Sequence, residues 1–252
     1  MNKLKKSKKY LEKHGLMKYL QDGVEGQKKP DYPDLAHLHK LILERKAIKI
    51  LEFGVGWTTI ILADASRVNN GKVFSVDASK KWINVANKLI PPELKEYVEL
   101  CYSEVRAGTF NGRMCHFYKS LPDIIPDFIY LDGPDPKDVQ ENINGLSWQN
   151  KRSLVAADIL LMEPTLTERT FIVVDGRTNN GRFLANNLQR NWVIKSNANA
   201  HVTTFELVES FHLVKGRERI LKKYLENFKK VKSFKEFKDL IRKSVRYIRI
   251  RM

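Results

Sequence analysis

Gly54 and Gly56 follow a short apolar run, Ile48–Phe53, and three later apolar runs end in the single carboxylates Asp77, Asp132 and Asp175. Glycine at such a position lets the chain turn sharply from strand to helix and admits a ligand against the bare backbone. A carboxylate at the end of the next run can accept hydrogen bonds from both hydroxyls of a ribose. Asp132 precedes Gly133-Pro134 and Asp175 precedes Gly176, so an Asx-type turn and a helix cap are open as bland roles for the two. A dinucleotide fingerprint would need a third glycine where the chain has Thr59. A pyrophosphate requires that closely approaching helix start, whereas a nucleoside without phosphates does not.

The elements that position these residues follow from periodicity. Asp34 is placed to cap a helix running from Pro33 to Arg45, and Ile48–Phe53 reads as a buried parallel strand. A helix is expected from about Thr58 to Ser66, a strand from Lys72 to Val76 and a helix from Ser79 to Leu89, stopped by Pro91-Pro92. Tyr97–Val105 is the next strand candidate. Met114–Tyr118 returns alongside it through the Asn111-Gly112 turn signal. A strand follows at Pro126–Leu131, a helix at about Ser153–Leu166, a strand at Thr170–Val174 and a helix at Asn179–Arg190. Trp192–Lys195 and His201–Val208 read as a closing antiparallel pair. Alternation of this kind predicts an α/β fold: a Rossmann-like, doubly wound, mostly parallel sheet with an antiparallel closing strand. In such a sheet ligands bind outside the carboxyl ends of the strands, where the acidic residues fall.

The net charge of +16 over 252 residues is unevenly placed. Residues 1–18 carry +6 and residues 215–252 carry +11, while residues 19–214 carry −1. The expected organisation is a basic N-terminal arm (1–33), a catalytic-type domain (34–214) and a basic, amphipathic helical extension (215–252). A polyanion-modifying enzyme would more usually be basic around its cleft, so the tails fit an anionic membrane surface better than a nucleic acid. The apolar stripe of the extension also suits packing on the body or on a second subunit of a homodimer. No secretory pattern or apolar run near 20 residues is visible, so the expected location is the cytoplasm, with the inner face of the membrane as a docking surface. Cys101 and Cys115 are then expected to be a reduced pair, with neighbouring positions on adjacent strands left open.

The run Ile50-Leu51-Glu52-Phe53-Gly54-Val55-Gly56-Trp57-Thr58-Thr59, followed by Phe74-Ser75-Val76-Asp77, resembles the first two motifs of class I S-adenosylmethionine-dependent methyltransferases. Phe128–Gly133 and Phe171–Gly176 are similar to later strand motifs of the branch containing small-molecule O-methyltransferases, and the likeness spans about residues 34–208. The resemblance implies S-adenosylmethionine as the cofactor. Glu52, Gly54, Gly56 and Thr58 would line its methionine end and Asp77 would hold its ribose, with Ala78 and Ser103 beside adenine. It makes Asp132 the catalytic residue. Asp132 and Asp175 match two Mg2+ ligands of metal-dependent relatives, where a metal would activate a substrate hydroxyl. This chain departs from that pattern by having Gly176 after Asp175, with Asn179 and Asn180 a turn later.

No Gly-x-Ser-x-Gly elbow or activated cysteine is present, and methyl transfer needs neither, because the acceptor attacks the sulfonium methyl directly. His37, His39, His116 and His201 lack metal spacing and read as structural or surface residues. The expected reaction is methylation of a hydroxyl or amine of a small molecule, a sugar or surface-polysaccharide intermediate among them. Two other functions stay open at this point: an RNA-modifying methyltransferase that uses its basic tails, and a non-catalytic binding protein of the same fold.

Overall fold

The computed structural model describes residues 2–20, 29–147, 155–197 and 201–208. Residues 1–208 make up one compact unit, and the helices expected over 215–252 lie outside the described residues. The elements are α1 (Lys3–Lys13), α2 (Tyr32–Arg45), β1 (Lys49–Phe53), α3 (Trp57–Asn69), β2 (Lys72–Asp77), α4 (Lys80–Leu89), β3 (Val98–Tyr102), β4 (Val105–Phe110), β5 (Arg113–Tyr118), β6 (Phe128–Leu131), α5 (Asp158–Met162), β7 (Phe171–Asp175), α6 (Thr178–Asn187), β8 (Trp192–Asn197) and β9 (Val202–Leu207).

Seven strands form one sheet in the order β3-β2-β1-β6-β7-β9-β8. The pairs β1–β2, β2–β3, β1–β6 and β6–β7 are parallel. β9 runs antiparallel to both β7 and β8. The chain therefore lays strands outward from β1 to one edge, returns, and continues from β6 to the other. Strand order reverses between β1 and β6, which opens a crevice at their carboxyl ends.

Both faces of the central strands are covered, as their unbroken apolar runs require. One core joins Ile50, Phe128 and Val173 to α2 and α3, and it also takes in Leu11, Leu16 and Leu20. Leu11, Leu16 and Leu20 of the basic arm are thus core residues, while Leu4 and the lysines of α1 face outward. The opposite core joins Leu51, Phe53, Ile129 and Val174 to β5, α5 and α6. On that face the crossover from β3 to β6 is made by a hairpin instead of a helix. β4 and β5 pair antiparallel through Asn111 and Gly112, whose φ of 47° and 73° are those of a two-residue primed turn.

Several boundaries differ from expectation. Asp31, not Asp34, caps α2: its side chain accepts from the Asp34 N–H at 3.3 Å, and Pro33 sits in the first turn, where it loses no hydrogen bond. Over the described part of the helix expected at 153–166, residues 155–166, only α5 and a short 3-10 turn form, because Val155–Ala157 instead pair with His116 of β5. Cys101 and Cys115 are free but lie in different sheets, on β3 and β5. Among the described residues no helix is long and apolar enough to cross a membrane.

Candidate functional site

A pocket of about 680 Å³ opens at the carboxyl ends of β1, β2, β6 and β7. Gly54, Gly56, Thr58, Asp77, Asp132 and Asp175 all line it, so the fold gathers residues up to 121 positions apart in sequence at one place. Three expected residues are placed otherwise. Ala78 packs against the core. Ser103 is buried beside β5, where its Oγ accepts from the Ser120 N–H at 3.0 Å.

Glu52 is the third. Its side chain is fully enclosed beneath the glycine loop and does not reach the pocket wall. Its carboxylate accepts from Thr58 Oγ1 at 2.5 Å, Thr59 Oγ1 at 2.8 Å and Ser75 Oγ at 2.6 Å. Glu52 thereby ties the start of α3 to β2 and fixes the loop from below. Burial pushes its pKa up to about 7, against the pull of the three hydroxyls. The folded protein holds this proton up to about pH 7, whereas the unfolded chain releases it near 4.5, so stability falls as pH rises through that window. Buried Asp158, also raised to about 7, adds a fall of the same sign. In Glu52→Gln the decline in unfolding free energy between pH 5 and pH 8 should be smaller by on the order of 2 kcal/mol. Urea denaturation at the two pH values measures this, and identical declines in variant and wild type would contradict it.

Asp77 is held by the main chain on both sides. Oδ2 accepts from the Val55 N–H at 2.9 Å and Oδ1 from the Ser79 N–H at 2.7 Å. Each carboxylate oxygen has two lone pairs, so both retain capacity for a further donor. Burial raises this pKa while the N–H bonds restrain the rise. The glycine loop itself is set by close contact. Gly54, at φ +95°, would bring a Cβ within 2.8 Å of the Gly133 Cα and N, and a Cβ on Gly133 would fall 2.4 Å from the Gly54 Cα. Only glycine on both sides lets the loops after β1 and β6 touch.

Asp132 faces solvent at the pocket rim, its side chain 57% exposed. The Arg177 guanidinium lies 3.6 Å from Asp132 Oδ1 and donates to the main-chain oxygens of Asp132 at 2.6 Å and Pro134 at 2.8 Å. Asp175 Oδ2 accepts from the Tyr130 hydroxyl at 2.6 Å. It is not the cap of α6, whose cap residue is Arg177. Arg177 stands beside Asp132, the Tyr130 hydroxyl bonds one oxygen of Asp175, and among the described residues no three His, Cys, Asp or Glu side chains gather as metal ligands.

Residues without a sequence signal complete the wall. Asp31 and Asp34 reach it from the start of α2, Trp82 from α4, and Asp135 and Asp138 from the loop after Pro134. Seven Asp and one Arg make the lining strongly acidic. On the same wall, Asn180 holds Ala156 by both its main-chain groups, donating at 3.1 Å and accepting at 2.7 Å. His116 is buried and pushed down to about 3 by desolvation and Arg177, which keeps it neutral. His39 is buried in the opposite core, and His37 and His201 are exposed.

No family model matches the chain, and no curated protein matches it. Among solved structures it is similar to the O-methyltransferase TomG from Streptomyces achromogenes in complex with SAM, at 15% identity over 83% of this chain and 91% of that one, with a TM-score of 0.45. It is also similar to an O-methyltransferase from Bacillus cereus in complex with SAH, at 16% identity over 81% and 91% of the two chains and a TM-score of 0.43. SAH-bound methyltransferase PaMTH1 from Podospora anserina matches at 13% identity over 83% and 89%, with a TM-score of 0.47. The strand order and the single reversed strand are in themselves those of the Rossmann-like methyltransferase fold.

Proposed function

We propose that the protein is an S-adenosylmethionine-dependent methyltransferase acting on a hydroxyl or amine of a small molecule, a sugar or surface-polysaccharide intermediate among the candidates. The observation that carries this is Asp77: a carboxylate locked by the Val55 and Ser79 N–H groups, with acceptor capacity to spare, at the edge of an open glycine loop. Gly54 and Gly56 leave room for a ligand against the backbone, Thr58 offers a side chain at the loop, and Asp77 takes the ribose hydroxyls. Glu52 acts from underneath, by positioning the loop. When bound, the cofactor supplies an electrophilic methyl on a sulfonium sulfur.

The acidic lining favours the positive charges of the sulfonium and the α-ammonium group. It favours the neutral thioether product less, which assists release. Asp132 orients the acceptor at the rim and receives its proton as the oxygen or nitrogen attacks the methyl carbon and the sulfur–carbon bond breaks. Arg177, on the main-chain oxygens of Asp132 and Pro134, holds that carboxylate in place. No divalent cation is required in this scheme. The basic segment 215–252 would hold the enzyme at an anionic membrane surface.

A screen of fractionated small-molecule acceptors with methyl-labelled S-adenosylmethionine tests the activity. With an acceptor in hand, Asp132→Asn should lower kcat about 100- to 10,000-fold, the range of a positioned proton acceptor, and change cofactor affinity far less. An unchanged kcat would remove Asp132 from the reaction.

A further inference from the structure

A second groove, of about 520 Å³, adjoins the acidic pocket, and Asp34 lines both. Its charge is opposite. Lys3 and Lys6 of α1, Lys40 of α2 and Lys195 of β8 line it with His37, and Asp34 is its one carboxylate. We infer that this groove binds the phosphate group of a phosphorylated small-molecule acceptor and directs the rest of that acceptor past Asp34 to the Asp132 rim. The inference rests on the methyltransferase reading and names the class of its acceptor.

The groove is assembled from matching faces of three elements. Lys3, Lys6, Ser7 and Tyr10 recur at the three- and four-residue spacing that places them on one face of α1. Pro33, His37 and Lys40 do the same on α2. Lys195 stands opposite Thr204 in the β8–β9 ladder. The wall made by α1 is fixed in place. The Tyr10 hydroxyl bonds His39 Nδ1 at 2.9 Å, and His39 Nε2 bonds Asp64 Oδ2 at 3.0 Å inside the core. Leu11 of the next position is fully buried.

Two further features point to an anion. α1 has no acidic residue in its first turn and places Lys3, Lys5 and Lys6 there. Cations at the positive end of a helix are unfavourable, and a bound anion would offset both charges. Asp34 lies within electrostatic range of both spaces: burial raises its pKa most, Asp31 and Asp175 on the pocket side raise it further, and Lys3 and His37 on the groove side lower it. Seven pocket carboxylates would repel a phosphate. An acceptor carrying one must anchor its anion outside that wall, and the ammonium groups of Lys3, Lys6 and Lys195, with the Ser7 hydroxyl, supply the charge-assisted donors that do so.

The test is calorimetry of the full chain with inorganic pyrophosphate, and separately with S-adenosylmethionine, on wild type, Lys6→Gln/Lys195→Gln and a control, Lys88→Gln/Lys95→Gln. All four lysines are exposed, so both double variants should fold. The expected result is saturable pyrophosphate binding that weakens at least tenfold in the groove variant alone, with cofactor affinity unchanged in all three proteins. Equal pyrophosphate affinity in groove variant and wild type, or no saturable binding in wild type, would overturn the inference. So would loss of phosphatidylglycerol-vesicle binding in the groove variant without a pyrophosphate effect, which would assign the groove to a lipid surface. Absence of cofactor binding in wild type, with the pyrophosphate difference intact, would instead remove the methyltransferase reading and leave an anion site.

Discussion

Gly133→Ala should lower the unfolding free energy by roughly 3–5 kcal/mol, at the extreme of single substitutions, and abolish ligand binding in whatever fraction still folds. The added Cβ would meet the Gly54 Cα at 2.4 Å, the Gly54 N at 2.5 Å and the Phe53 carbonyl carbon at 2.8 Å, all main-chain atoms that no rotamer change can clear. Relief requires the loops after β1 and β6 to part, which breaks the Asp132 N–H bond to the Phe53 oxygen, 3.0 Å long, at the switch point itself. Gly54→Ala meets the same obstacle from the other side and adds a φ of +95° that a side chain disfavours. Gly145→Ala is the comparator, because nothing lies within 4 Å of its Cβ position and only its φ of +77° opposes the change. It should cost about 1 kcal/mol. Urea melts of the three variants give the ranking, and equal losses at Gly133 and Gly145 would mean that the contact between the two loops does not govern the site.

Asp77→Ala should weaken S-adenosylmethionine binding about 100- to 1000-fold, the value of two charge-assisted hydrogen bonds to a ribose. Part of the loss comes from the protein alone: the Val55 and Ser79 N–H groups lose their acceptor, and the glycine loop loses one of its ties to β2. Asp77→Asn separates these contributions. An amide keeps one acceptor oxygen but points a donor at the other N–H, so it restores only one of the two main-chain bonds and should still bind weakly.

Much of this architecture was legible because it is local. Short apolar runs ending in Gly or Asp gave the parallel strands, Asn111-Gly112 gave the hairpin, and the strand ends gave Gly54, Gly56, Asp77, Asp132 and Asp175 at one mouth. Features fixed by partners distant in sequence were not legible. Glu52 looked like a ligand contact from its place at the strand end, but the hydroxyls of Thr58, Thr59 and Ser75 enclose it, and only the β1–β2 register brings Ser75 opposite. Gly133 read as a turn former, since its contact with Gly54 exists only once β1 pairs with β6. In the helix expected before Leu166, Val155–Ala157 pair with His116 instead, a tertiary pairing that overrides an apolar pattern. The basic arm reads as an appendage because residues 1–18 carry a net +6, yet Leu11, Leu16 and Leu20 place it in the core and turn its lysines into one wall of a groove.

The central claim is a nucleoside cofactor held by Asp77, and calorimetric titration of wild type and Asp77→Ala with S-adenosylmethionine tests it most directly. Saturable one-to-one binding by wild type and a loss of at least a hundredfold in the folded variant is the predicted result. Equal affinity in the two proteins, or no binding by either, would contradict it.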